Sequence, residues 1–179
     1  YYYTLLFDDK YRVKIATRNI NIPGVQNFRD LGGYPSYSTK KQMRWGMIYR
    51  SAEIDSLECS SRRELKNLGI KTLIDLRASS EIGRLQKGFN VVHIPLATGD
   101  MEGILKGIRE EKIKCDTVYR MVERMNRVLI DQYTKEYRQI FDILLDKNSY
   151  PVVIHCSSGK GRTGIVSALV LAALGINED

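Results

Sequence analysis

The sequence lacks an apolar run long enough to cross a bilayer. Its longest, over residues 165–174, is about half of the ~20 residues that a membrane helix needs. Nothing resembles a signal peptide with a basic flank, an apolar stretch and a cleavage site. The chain starts at a tyrosine rather than a methionine and stops just after Gly175, which reads as a helix end. Both ends therefore read as cuts. The expectation is a soluble domain with no stable membrane insertion, either cytoplasmic or exported if a signal has been removed. Cysteine is scarce: the three residues, at 59, 115 and 156, have no metal-ligand spacing, and their odd number excludes a complete disulfide framework. No internal repeat or low-complexity tract is present, and no dense basic stripe. The net charge of +7 and pI of about 9.3 favour an anionic partner. The cations lie in small groups at Lys40-Lys41-Arg44, Arg62-Arg63 and residues 106–114, which argues against nucleic acid and leaves acidic lipid headgroups and phosphorylated small molecules as partners.

What is present suits one compact domain. Hydrophobic content of 43% and charged content of 27% are ordinary for a chain that buries a real core. Residues 2–7 and 11–16 are β-rich and flank Asp8-Asp9-Lys10, so residues 1–20 read as a hairpin or the end of an upstream segment. Residues 46–49 read as a short strand. Ser61-Arg62-Arg63-Glu64 has the capping-box pattern and opens a short helix that Gly69 ends. Residues 71–76 (KTLIDL) and 90–96 (NVVHIPL) read as strands buried on both faces, with a helix over 79–87 between them. From 116 to 146, Met121, Met125, Val128, Leu129, Tyr133, Tyr137, Ile140, Phe141, Leu144 and Leu145 repeat with helical period, broken near Asp131, and form a core stripe. Residues 152–155 read as a strand and 162–174 as a buried helix. Alternating helices and buried strands give an α/β fold with a largely parallel central sheet flanked by helices.

Between that last strand and helix lies His155-Cys156-Ser157-Ser158-Gly159-Lys160-Gly161-Arg162-Thr163-Gly164. In an open α/β sheet, ligands bind beyond the carboxyl ends of the strands, and Cys156 stands there. A strand-to-helix loop turns successive amides inward, and the helix dipole adds positive charge at the same place. The expected binding residues are Ser157, Ser158, Gly159, Lys160, Gly161 and Arg162. Gly159, Gly161 and Gly164 allow left-handed or crowded backbone, and Arg162 offers a planar fork for two phosphate oxygens. The same field lowers a thiol pKa, which makes Cys156 a nucleophile for phosphoryl transfer with no metal or other cofactor. A nucleotide-binding P-loop is excluded by the missing first glycine and by Gly161, which stands where a magnesium-binding hydroxyl would be.

HCSSGKGRTG resembles the H-C-x5-R-[ST]-G signature of cysteine-dependent protein tyrosine and dual-specificity phosphatases. Asn27-Phe28-Arg29-Asp30-Leu31-Gly32-Gly33, then Tyr49-Arg50-Ser51, Leu68-Gly69-Ile70 and Asp75-Leu76-Arg77, follow the order seen in bacterial tyrosine phosphatases of the mycobacterial PtpB type. The resemblance spans about residues 23–176. It implies a phosphatase-like catalytic domain over 21–179, truncated at its C-terminus, with phosphorylated proteins or phosphoinositides and inositol phosphates as substrates. It further implies Cys156 as nucleophile, Arg162 as phosphate-binding arginine, Thr163 as the hydroxyl that helps the thiolate leave, and His155 as a residue that orients the loop. The Asp that this type carries before its arginine is replaced here by Gly161, and Lys160-Gly161 is similar to the loop of tensin-type lipid phosphatases.

A general acid must protonate the leaving oxygen. Asp100, on the loop after the strand ending at Leu96, is preferred over Asp75, whose place beside Arg77 suits a structural pair. Arg29, Asp30 and Arg50 are expected to brace the rim as an ion-pair and hydrogen-bond set, and His93 to sit in the core. Two further readings stay open: rhodanese-like sulfur transfer, disfavoured by the Arg-Thr-Gly ending, and a non-catalytic phosphate-binding module.

Overall fold

The computed structural model describes residues 2–55, 57–83, 87–97, 101–110, 112–113 and 115–176. A hairpin of β1 (Tyr2–Phe7) and β2 (Tyr11–Ala16) precedes a five-stranded sheet of β3 (Arg29–Asp30), β4 (Ile48–Ser51), β5 (Thr72–Asp75), β6 (Asn90–His93) and β7 (Val152–His155). The helices are α1 (Cys59–Asn67), α2 (Met101–Arg109), α3 (Cys115–Gln132), α4 (Thr134–Leu145) and α5 (Gly161–Ala173). The sheet order is β3-β4-β7-β5-β6, parallel except for β3 against β4. The α/β architecture with its largely parallel sheet is therefore as the sequence predicts. Among the described residues, no helix is long and apolar enough to cross a membrane.

The central strand β7 reads Val-Val-Ile-His and is buried throughout, as a strand covered on both faces must be. Its period of two sorts the core into two layers. Val152 and Ile154, with Ile48 and Ile74, face α3, α4 and α5 through Leu129, Ile140 and Val166. Val153, with Tyr49 and Leu73, faces the other way, against Leu65 of α1 and Ile22, Val25 and Phe28 of the loop before β3. Leu65 is fully buried, and its truncation to alanine would cost about 2–5 kcal/mol. A left-handed Gly69 (φ 74°) ends α1: its amide bonds Lys66 O and the Ile70 amide bonds Leu65 O.

The hairpin turns through Asp8 and Asp9, both at positive φ, as a tight twisted connection requires. Its register puts Tyr3 opposite Ile15, Leu5 opposite Val13 and Phe7 opposite Tyr11, so one face is wholly apolar and open to solvent. The hairpin is tied to the body by Tyr2, whose hydroxyl bonds Asp30 Oδ2 at 2.8 Å and Tyr49 Oη at 2.8 Å.

Several local expectations are corrected. Helix α1 starts two residues before Ser61, whose hydroxyl donates to Pro23 O at 2.5 Å instead of capping the helix. The span read as a helix over 79–87 holds only a single 3-10 turn (Ser79–Glu81) among its described residues, with the Glu81 carboxylate bonded to the Ala78 amide at 2.7 Å and to Arg162 across the sheet end. Strand β6 is at the sheet edge and half exposed, and His93 is an exposed residue bonded to Arg77 O rather than a core residue. The long periodic stripe divides at Tyr133 into α3 and α4, with Met121 and Leu145 left exposed. Helix α5 buries one side only, while α2 occupies residues that the sequence analysis assigns to no element.

Candidate active site

The parallel register aligns Ser51, His155, Asp75 and His93 in one row across the carboxyl ends of β4, β7, β5 and β6. Cys156 follows directly, 2% exposed, at the floor of the loop that leads into α5. Burial alone would raise the pKa of this thiol. The side chain and amide of Thr163, the charge of Arg162 and the amide of Gly159 outweigh burial and hold it below the ordinary thiol value. Thr163 Oγ1 is buried with no hydrogen-bond partner, so its proton is free to turn toward the thiol whose pKa it lowers. Sequence-adjacent and α5-borne groups thus converge on one atom.

Gly159 adopts φ 66°, and a side chain there would run into the backbone of Ser51 and of Ala52, whose nitrogen lies 2.6 Å from the Cβ position. Only glycine fits. Gly161 differs from expectation: it has open space around it, so neither crowding nor positive φ requires a glycine there. Lys160 is exposed at the N-cap of α5, Ser158 is exposed, and Ser157 is half-buried.

Arg162 is 7% exposed in the first turn of α5. Its guanidinium meets Glu81 at both nitrogens, Nη1 to Oε2 at 2.6 Å and Nη2 to Oε1 at 2.7 Å, and bonds Ser157 Oγ at 3.1 Å. The Ser157 hydroxyl donates to Glu81 Oε1 at 2.7 Å. Bonded chiefly by Arg162, the Glu81 carboxyl is pulled down to a pKa of about 2. The sequence reading missed Glu81. Its signal was chemical: an arginine held ready for phosphate needs an anion to orient it.

Asp75 is 2% exposed and bound by Arg77 through Nε (3.0 and 3.2 Å), Nη2 (2.7 Å) and the backbone amide (3.0 Å). Burial raises its pKa, but these bonds and the nearby His155 lower it below the usual value. Arg77 is itself buried and also grips Asp55 at 2.6 and 2.7 Å. His155 Nδ1 lies 3.9 Å from Asp75 Oδ1 without a hydrogen-bond partner, and burial drives its pKa down to about 4. Asp100 lies outside the described residues.

At the rim, Arg50 Nη2 donates to Gly159 O at 2.7 Å and Lys160 O at 3.3 Å, and Asn27 Nδ2 donates to Ser158 O at 3.1 Å and Gly159 O at 3.0 Å. Arg29 stands opposite Arg50 in register, and burial together with the Arg29 charge depresses the Arg50 pKa. Asp30 is not part of an ion pair with either arginine. Fully buried, it accepts the amides of Gly32 and Gly46, each at 2.7 Å, and the Tyr2 hydroxyl. Three backbone and hydroxyl donors satisfy the carboxylate without a cation.

The family model described as "Tyrosine phosphatase family" matches residues 20–179. The chain is 31% identical over 183 residues to the triple specificity protein phosphatase PtpB of Mycobacterium tuberculosis, a match covering 88% of this chain and 64% of that protein. It is 28% identical over 161 residues to a Cupriavidus necator protein assigned as a tyrosine-protein phosphatase, covering 87% of this chain and 57% of that one. The chain thus spans less than two thirds of the length of these curated relatives. The crystal structure of P. aeruginosa TpbA aligns over 76% of this chain and 65% of that one at 17% identity, with a TM-score of 0.39, a likeness too loose to carry an argument.

Proposed function

Because this chain belongs to the tyrosine phosphatase family, we propose that it hydrolyses phosphate monoesters, phosphotyrosine or related phosphoesters, through a cysteinyl-phosphate. The observation that carries the reading is the place of Cys156, buried between the central strand and the first turn of α5, where Arg162, Thr163 and the Gly159 amide lower its thiol pKa. The sulfur attacks phosphorus while Arg162 and the amides of residues 157–161 take the non-bridging oxygens, whose charge grows in the transition state. The P–O ester bond breaks, and its oxygen takes a proton from the general acid. Water then attacks the cysteinyl-phosphate, releasing inorganic phosphate, and the Thr163 hydroxyl stabilises the departing thiolate.

A carboxylate already held as an anion by four bonds from Arg77 has no proton to give, which supports Asp100 over Asp75 as the acid. Phosphoinositides and inositol phosphates form the second substrate class. The exposed Lys160 at the α5 N-cap favours it.

Assays with an aryl phosphate in the presence of a chelator test the reading. Turnover should persist with chelator and stop with vanadate. Cys156→Ser should still bind phosphate without turnover, and Arg162→Lys should be severely impaired because a point charge lacks the two-pronged clamp. Strong activity in Cys156→Ser would overturn the mechanism, and binding without turnover in the unaltered chain would leave a phosphate-binding module.

A further inference from the structure

A peptide unit is planar and trans, so a carbonyl and the amide that follows it point in opposite directions. An amide aimed at the anion therefore requires the preceding carbonyl to be held on the outer side of the loop. The four carbonyls before α5 are all held there. Ser157 O accepts the Glu53 amide at 3.2 Å, and Ser158 O accepts Asn27 Nδ2. Gly159 O accepts Asn27 Nδ2 and Arg50 Nη2, while Lys160 O accepts Arg50 Nη2 and the Gly164 amide. The Gly159 amide, in the same peptide plane as Ser158 O, is one of the groups that hold the Cys156 thiol below its ordinary pKa.

We infer that Asn27 and Arg50 are positioning residues that aim the amides of Gly159, Lys160 and Gly161 inward by holding the carbonyls of Ser158, Gly159 and Lys160 outward. This rests on the phosphatase reading above. Both residues come from the part of the chain remote from the loop, 131 residues away for Asn27 and 109 for Arg50 at their respective contacts. Asn27 is fitted to its place by backbone as well as side chain: it sits at φ 58°, a region asparagine tolerates better than other side chains, and the Ala52 amide bonds the neighbouring Gln26 O at 2.9 Å. The end of β4 therefore moulds the loop from outside, with Gly159 seated against Ser51 and Ala52. The charge of Arg50 and that of the Cys156 thiolate also favour one another. Two uncharged donors could hold the same carbonyls, but only a cation adds that field.

The test uses variants that separate backbone shape from donation. Asn27→Gly keeps the positive-φ backbone and removes the donor. Asn27→Asp keeps the shape and sets an oxygen against two carbonyl oxygens. Arg50→Lys keeps a charge, whereas Arg50→Gln removes it. The titration of Cys156 is read by mass spectrometry from its iodoacetamide alkylation rate against pH, beside kcat, KM and vanadate inhibition with an aryl phosphate. Asn27→Gly should lose about tenfold in kcat with little change in KM, and Asn27→Asp more, the size typical of orienting partners of a site. Arg50→Gln should raise the pH midpoint of alkylation and weaken vanadate, with Arg50→Lys recovering part of both. Folded variants, checked by thermal melting, that keep the wild-type alkylation profile, kcat and vanadate affinity would overturn the inference alone. A wild-type chain that neither turns over an aryl phosphate nor binds vanadate would overturn the phosphatase reading, and this inference with it.

Discussion

Glu81 and Arg162, 81 residues apart in the chain, are joined by two parallel hydrogen bonds of 2.6 and 2.7 Å, so the guanidinium is fixed in place before any substrate arrives. Arginine carries about 2 kcal/mol of rotamer freedom, and here most of it is given up on folding rather than on binding. Glu81→Gln keeps the shape but not the charge-assisted pair. It should lower kcat/KM for an aryl phosphate by roughly tenfold and weaken vanadate inhibition in step. Unchanged vanadate affinity would show that Arg162 finds its position without Glu81.

The acids separate by leaving group. An activated aryl oxygen departs without a proton, whereas a tyrosine or alkyl oxygen does not. Asp100→Asn should therefore harm poor leaving groups far more than good ones and flatten the alkaline limb of the pH–rate profile. Asp75→Asn should mainly lower the melting temperature, since it leaves the buried Arg77 short of an anionic partner. The leaving-group signature in Asp75→Asn beside a normal Asp100→Asn would reverse the assignment.

His155 makes stability depend on pH. Its folded pKa near 4 lies below the ~6.5 of an exposed histidine, because burial resists the charge. Between those values the unfolded chain holds a proton that the folded chain refuses, so stability is full above pH 6.5 and falls as the pH drops toward 4. The contribution is on the order of 3 kcal/mol, most of it lost by pH 4.5. Urea midpoints at pH 7 and 4.5 should differ less in His155→Gln than in the wild type. Parallel losses in both proteins would assign the acid sensitivity elsewhere.

Lys160 is exposed at the α5 N-cap, and on the proposed second substrate class it meets another phosphate of the ring. Lys160→Ala should reduce kcat/KM for phosphoinositides or inositol polyphosphates by roughly tenfold more than for phosphotyrosine peptides. Equal losses on both classes would confine its role to the reacting phosphate.

The sheet and the loop were legible because their signals are local. KTLIDL and VVIH are short apolar runs, and HCSSGKGRTG carries its chemistry within ten residues. What escaped was held by contacts remote in sequence. Glu81 follows a serine pair that reads as a helix start, and only the Arg162 guanidinium across the sheet end reveals its purpose. Asp30 was read as a partner of arginines because charge is visible in a sequence, whereas the backbone amides of Gly32 and Gly46 that satisfy it are not. His93 lies inside an apolar run, as a core residue would, but β6 proved to be an edge strand, and edge position depends on strand order rather than on composition.

The row formed by Ser51, His155 and Asp75 at one height across three strands makes the site a product of sheet register. Were β7 to slip by one residue, Cys156 would shift by about 3.3 Å and turn to the opposite face of the sheet, away from Arg162 and Thr163. Partial alignment gives no partial nucleophile. The buried faces of Leu73 and Val153, packed in the layer away from the loop, therefore guard the site through the register they hold.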